Sequence, residues 1–174
     1  MDDVRTGNKD PVYRSLDELV SFIRNNKILS WCFAFLLGIV YRYGFGIAKD
    51  VIWKNRNLSF ITELIEPLSE SQLLFFGIAF NLLVDFTSVL LPALICGALL
   101  IYVFNKRAFL FSAGTVAAFL ALRSMLWNFW KYPDIGAQIS AFISPILAAF
   151  ILIASVWLLL KIRHRLKIAT TDVE

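Results

Sequence analysis

The sequence predicts an all-α integral membrane protein with four transmembrane helices and both termini in the cytoplasm, and three observations carry that prediction. Of its 174 residues 59% are hydrophobic and only 17% charged, against about 45–50% and about 25% in soluble domains. Four runs are long and apolar enough to cross a bilayer. Lys and Arg are divided unevenly between the segments that join those runs.

A spanning helix needs about 20 mainly apolar residues at about 1.5 Å each. The first run is Ile28 to Ala48, the second Leu73 to Phe104, the third Ala108 to Trp130 and the fourth Ile139 to Leu160. The first, third and fourth would each extend about 31–35 Å, close to the hydrocarbon thickness. The second would reach about 48 Å as one straight helix, so it must tilt, protrude or bend. Pro92 is the expected bend. It has no N–H to give the carbonyl of Ser88, and in lipid that carbonyl needs another partner.

Orientation follows the cations. Arg5, Lys9, Arg14, Arg24 and Lys27 precede the first span, Lys106 and Arg107 follow the second, and Lys161, Arg163, Arg165 and Lys167 follow the fourth. The other side holds Lys49, Lys54, Arg56 and Lys131. Eleven against four predicts an N-in, C-in chain. Trp31 and Trp157 then mark inner ends, and Trp53, Trp127, Trp130 and Tyr132 mark outer ends. The chain divides into a cytoplasmic segment 1–27, a transmembrane domain 28–160 containing an outer link 49–72, and a basic cytoplasmic tail 161–174. A bacterial inner membrane is the expected location.

The first apolar core and Gly46-Ile47-Ala48 also fit a cleaved signal peptide. Asp2, Asp3, Asp10, Asp17 and Glu18 argue against it, because they do not make a basic leader. The tail KIRHRLK reads as a topology signal and a contact for anionic headgroups. It lacks the interleaved aromatics that single-stranded nucleic acid would stack on, so no nucleic-acid partner is expected.

Two short amphipathic helices are expected at the surfaces. Leu16, Leu19, Val20 and Ile23 share one helical face, and Ser15 with Glu18 forms a capping-box pattern. That helix suits the inner headgroup layer, or the face of a partner helix. Leu58, Ile61 and Ile65 define a second helix from Leu58 to Glu66, which Pro67 ends, as a flap over the mouth of the bundle. Ser69 and Gln72 then cap the second span.

Three ionisable residues fall inside the spans: Arg42, Asp85 and Arg123. Such residues cost about 2.5–3.5 kcal/mol each at a helix centre, and they mark candidate sites. Helix arithmetic puts all three in the outer half of the membrane. An arginine about 9–10 Å deep can snorkel to the headgroups, but a short carboxylate cannot, so Asp85 needs a partner, a proton or water. Asn81, Asp85 and Ser88 form a polar stripe beside the Pro92 bend. Asp85 is expected to pair with Arg123, Arg42 or both, either as a salt bridge that fixes helix neighbours or as a site whose surplus positive charge suits a lipid phosphate or small anion.

Small residues recur at four-residue spacing, with Ala93 and Gly97 in the second span, Ala113, Ala117 and Ala121 with Gly114 in the third, and Ala137 and Ala141 in the fourth. They are read as ordinary packing contacts. His164, the one histidine, lies in the tail, and Cys32 and Cys96 sit apart in apolar runs as small hydrophobes. No triad, di-histidine haem site, CxxC, HExxH or Walker pattern is present, so neither enzyme nor cofactor is expected. The expected function is binding, as an accessory or regulatory subunit of a membrane complex. The alternative is an oligomeric transporter, channel or lipid-handling protein for a small anion or headgroup. Partners are membrane lipids, with a membrane protein or further copies of the chain. In length and topology alone the chain is similar to immunity proteins against pore-forming bacteriocins, which implies a small inner-membrane protein that neutralises a toxin.

Overall fold

A computed structural model describes residues 11–55, 58–125 and 135–171, and every element among them is helical. In order these are α1 (Pro11–Asn25), α2 (Lys27–Lys54), α3 (Leu58–Ile65), α4 (Glu70–Phe104), a single 3₁₀ turn (Asn105–Arg107), α5 (Ala108–Met125) and α6 (Ile135–Thr171). Three helical stretches are long and apolar enough to cross a membrane: Lys27–Lys54, Glu70–Arg123 and Gln138–Arg165. The end of the expected third span, with Trp127, Trp130, Lys131 and Tyr132, lies outside the described residues, as do Arg5, Lys9 and Arg56.

Local signals fix most helix ends. The Asn26 side chain accepts from the backbone N–H groups of Ile28 and Leu29 at 3.0 and 3.2 Å and so starts α2. At the start of α4, Gln72 Oε1 accepts from the Ser69 N–H at 2.9 Å, as the Ser69–Gln72 pattern predicts. The Ser15–Glu18 pattern does not mark a helix start. α1 begins one turn earlier, at Pro11, whose fixed φ and missing N–H suit a first turn, and the Ser15 hydroxyl donates back to the Val12 carbonyl at 2.9 Å. α6 runs on through the basic tail to Thr171. α4 is helical through Pro92, which lies against Gly44 of α2: a Cβ at Gly44 would sit 3.5 Å from the Pro92 ring.

Asn105, with φ 51°, turns the chain back without a longer loop. Contacts along the helices give the directions. Against α4, α2 pairs Phe33 with Phe104, Gly44 with Pro92 and Lys49 with Asp85, so the two run oppositely. Against α5, α2 pairs Trp31 with Phe111 and Phe45 with Phe119, so these two run the same way. Gly97 of α4 packs on Val156 of α6, while Asp85 and Ser140 share one cavity, so α4 and α6 are also parallel. α4 with α6 and α2 with α5 form the most extensive interfaces.

Two buried apolar clusters fill the bundle. The first, near the Asn105 turn, gathers Leu37, Leu100, Phe104, Phe111 and Val156, with Val20 and Ile23 of α1 packed against it. The second, nearer the other end, gathers Tyr41, Phe45, Val89, Phe119, Ala148 and Leu152. α2 and α5 approach closely at Gly38, where a Cβ would stand 2.5 Å from the Thr115 carbonyl oxygen. The small-residue reading of α5 needs correction: Ala113, Ala117 and Ala121 are exposed, and the packed face is Gly114, Thr115 and Ala118. Large apolar side chains such as Ile47, Leu91 and Phe150 cover the outer flanks, as integral membrane location requires.

Candidate functional site

All four long helices contribute to one polar cavity of about 90 Å³ at the end of the bundle away from the Asn105 turn. α2 supplies Lys49, α4 Asn81 and Asp85, α5 Arg123, and α6 Ser140, Ala141 and Ser144. The helical rise sets the depth: Asp85 lies about 28 Å along α4 from Phe104, and Arg123 about 22 Å along α5 from Ala108.

Asp85 is 1% exposed and forms an ion pair with Lys49, whose Nζ lies 2.5 Å from Oδ1. The sequence expected an arginine in that role and placed Lys49 in the outer link. The correction has a simple basis. Lys49 sits at the rim with its side chain 31% exposed, and its four-carbon stem lets the ammonium reach a carboxylate on the neighbouring helix. The Phe45 ring, one turn below, lies 5.9 Å from the same ammonium.

Arg123 lines the cavity together with Asp85. Arg42 is not part of the lining; its guanidinium runs along α2, with Nη1 3.3 Å from where a Gly46 Cβ would stand. Asn81 lines the cavity while donating through Nδ2 to the Gly77 carbonyl at 2.9 Å. Ser88 does not line it. Its hydroxyl donates to the Val84 carbonyl at 2.6 Å, and with Pro92 it faces an apolar groove between α2 and α4. The expected polar stripe therefore divides, with Asn81 and Asp85 at the cavity and Ser88 and Pro92 on the groove.

Sequence reasoning missed Lys49, Ser140 and Ser144. Ser140 and Ser144 are spaced i, i+4 immediately before Pro145, a pattern that puts two hydroxyls on one helix face. Pro145 also leaves the Ala141 carbonyl without its helical donor, so α6 brings a weakened backbone to the same cavity. Three buried polar atoms here take no hydrogen bond among the described residues: Arg123 Nε, Ser144 Oγ and, apart from its ion pair, Asp85 Oδ1. Buried polar groups are normally satisfied, so unpaired ones around a single space point to water or a ligand.

The cavity has a closed floor. One turn toward the Asn105 end from Lys49, Asp85, Arg123 and Ser144 stand Phe45, Val89, Phe119 and Ala148, all buried in one apolar cluster. The Tyr41 hydroxyl adds a bond of 2.7 Å to the Ala148 carbonyl within that floor. Among the described residues no His or Cys lines the cavity; Cys96 is buried below it and Cys32 is exposed near the turn end.

No family model, curated protein or solved structure matches the chain.

Proposed function

We propose that this is a four-crossing membrane protein, N-in and C-in, that works by binding, as an accessory or regulatory component of a membrane assembly. The observation that carries the reading is the closed floor: a polar cavity fed by four helices ends on Phe45, Val89, Phe119 and Ala148. A space of that form holds a group and does not pass it on. The reversal at Asn105 supports two crossings within Glu70–Arg123, and Lys106 and Arg107 at that reversal support a cytoplasmic turn. With that turn at the inner surface, Asp85 comes to rest near the outer edge of a hydrocarbon layer about 30 Å thick.

The second reading is an oligomeric transporter or lipid-handling protein, in a bacterial inner membrane, and the surplus positive charge of the cavity favours it. Extraction of the tagged protein into nanodiscs at native expression level, followed by intact mass measurement, separates the two. A stoichiometric protein partner supports the accessory role. A homo-oligomer that carries ion flux across sealed vesicles overturns it.

A further inference from the structure

The cavity carries more than a place for water. Among the described residues its lining holds two cations, Lys49 and Arg123, against one carboxylate, Asp85, which leaves one positive charge over. Among the described residues the Nε of Arg123 and the hydroxyl of Ser144, which is 2% exposed, have no partner there. Surplus positive charge with free N–H and O–H donors recognises an oxyanion, and a guanidinium is the group best matched to phosphate oxygens.

Size narrows the class. About 90 Å³ has room for several waters or one compact polar group, well short of the ~300–1,000 Å³ of a pocket for a drug-sized molecule. A second groove of about 370 Å³ adjoins it and shares Asn81. Leu73, Leu74 and Ile78 line that groove, with Gly77 and Gly136 leaving its walls low and Glu70 at the start of α4. An oxyanion in the cavity that carries an apolar tail has somewhere to lay it.

We propose that the cavity between Lys49, Arg123 and Ser144 is a phosphate-group site, filled by a lipid headgroup phosphate or by free phosphate. The proposal rests on the binding reading above and names what the cavity binds. Arg123 and Ser144 hold the phosphate oxygens, Lys49 stands at the rim, and Asp85 keeps Lys49 in place and limits the surplus to one charge.

The test uses the full chain in phosphatidylcholine nanodiscs and two probes, inorganic phosphate and phosphatidic acid, with diacylglycerol as the uncharged control. Native mass spectrometry reads lipid retention, and equilibrium dialysis with labelled phosphate reads the free anion. The wild type is expected to retain phosphatidic acid at least about tenfold over diacylglycerol, or to bind phosphate saturably, and Arg123→Gln to lose about tenfold or more, the scale of one charged hydrogen bond. Retention that inorganic phosphate displaces assigns the site to the phosphate group itself. Retention that phosphate leaves untouched assigns it to the headgroup with its tail in the groove, and phosphate binding alone assigns the free anion. A wild type that binds neither probe overturns the proposal, as does undiminished binding by a folded Arg123→Gln protein. If Arg123→Gln does not fold, Ser144→Ala replaces it, and binding that Ser144→Ala leaves unchanged is equally damaging. Failure here with a stoichiometric protein partner present leaves the binding function standing, whereas ion flux removes that function whatever the phosphate result.

Discussion

The Tyr41 hydroxyl of α2 donates to the Ala148 carbonyl of α6 at 2.7 Å, joining two helices that are far apart in sequence just below the polar cavity. Tyr41 is fully buried and packs tilted against Phe119 of α5 with ring centroids 5.0 Å apart, so one side chain ties three helices. Tyr41→Phe keeps the ring and removes the bond, at an expected cost of about 1 kcal/mol. Tyr41→Ala empties the site and costs about 3–5 kcal/mol. Steric-trapping or SDS-unfolding measurements should show that gap, and equal losses would mean that the ring packing contributes little.

The Lys49–Asp85 pair should respond asymmetrically. Lys49→Met removes the ion-pair partner of a carboxylate that is 1% exposed and leaves Arg123 as the remaining cation of the described cavity lining, so the expected loss is at most about 3–5 kcal/mol, the cost of breaking a buried pair. Asp85→Asn leaves an ammonium that can turn to water, since its side chain is already 31% exposed, so the loss is expected to be nearer 1 kcal/mol. The double variant should recover most of the Lys49→Met loss, and unfolding free energies of all four proteins measure the coupling.

Gly38 and Gly77 make a paired prediction. A Cβ at Gly38 would stand 2.5 Å from the Thr115 carbonyl and 2.6 Å from the Ala118 Cβ, both on α5, so Gly38→Ala must push the helices apart at about 1–3 kcal/mol. A Cβ at Gly77 would meet nothing within 4 Å among the described residues, and Gly77→Ala is expected to be neutral or to stabilise by up to about 1 kcal/mol. Thermal melting in one detergent compares the two directly.

α1 is held to the bundle by Arg24, whose Nε donates to the Val103 carbonyl at 2.7 Å and whose Nη2 donates to the Tyr102 carbonyl at 3.3 Å. These are carbonyls of the last turn of α4, where a cation also meets the negative end of the helix dipole. Arg24→Gln should loosen α1 by about 1 kcal/mol and speed its amide hydrogen exchange, with little change in α4 and α6. Unchanged exchange would assign the anchoring to Val20 and Ile23 instead.

The helices were legible because lipid imposes long apolar runs, and the caps at Asn26 and Ser69–Gln72 follow from local chemistry. The site was legible only in part. Asp85 stands out as a carboxylate in an apolar run, but its partner is chosen by which helices are neighbours, and periodicity along one helix carries no such information. Lys49 reads as a link residue in the sequence because α2 extends beyond the apolar run that the sequence displays. Ser140 and Ser144 are common residues in membrane helices, and only the cavity beside them distinguishes them from the rest.

The pairing of α2 with α5 and of α4 with α6 bears on how the chain is made. Each main interface skips one long helix, so a helix leaving the ribosome finds its principal neighbour only after another long helix has been synthesised. The tight Asn105 hairpin emerges with α4 still lacking the face that α6 will cover. Until then the carboxylate of Asp85 has its lysine but not the serines opposite, and the nascent protein must keep that flank covered by lipid, translocon or chaperone. Order of synthesis and order of packing thus diverge, and α4 gains its main neighbour only when α6 arrives.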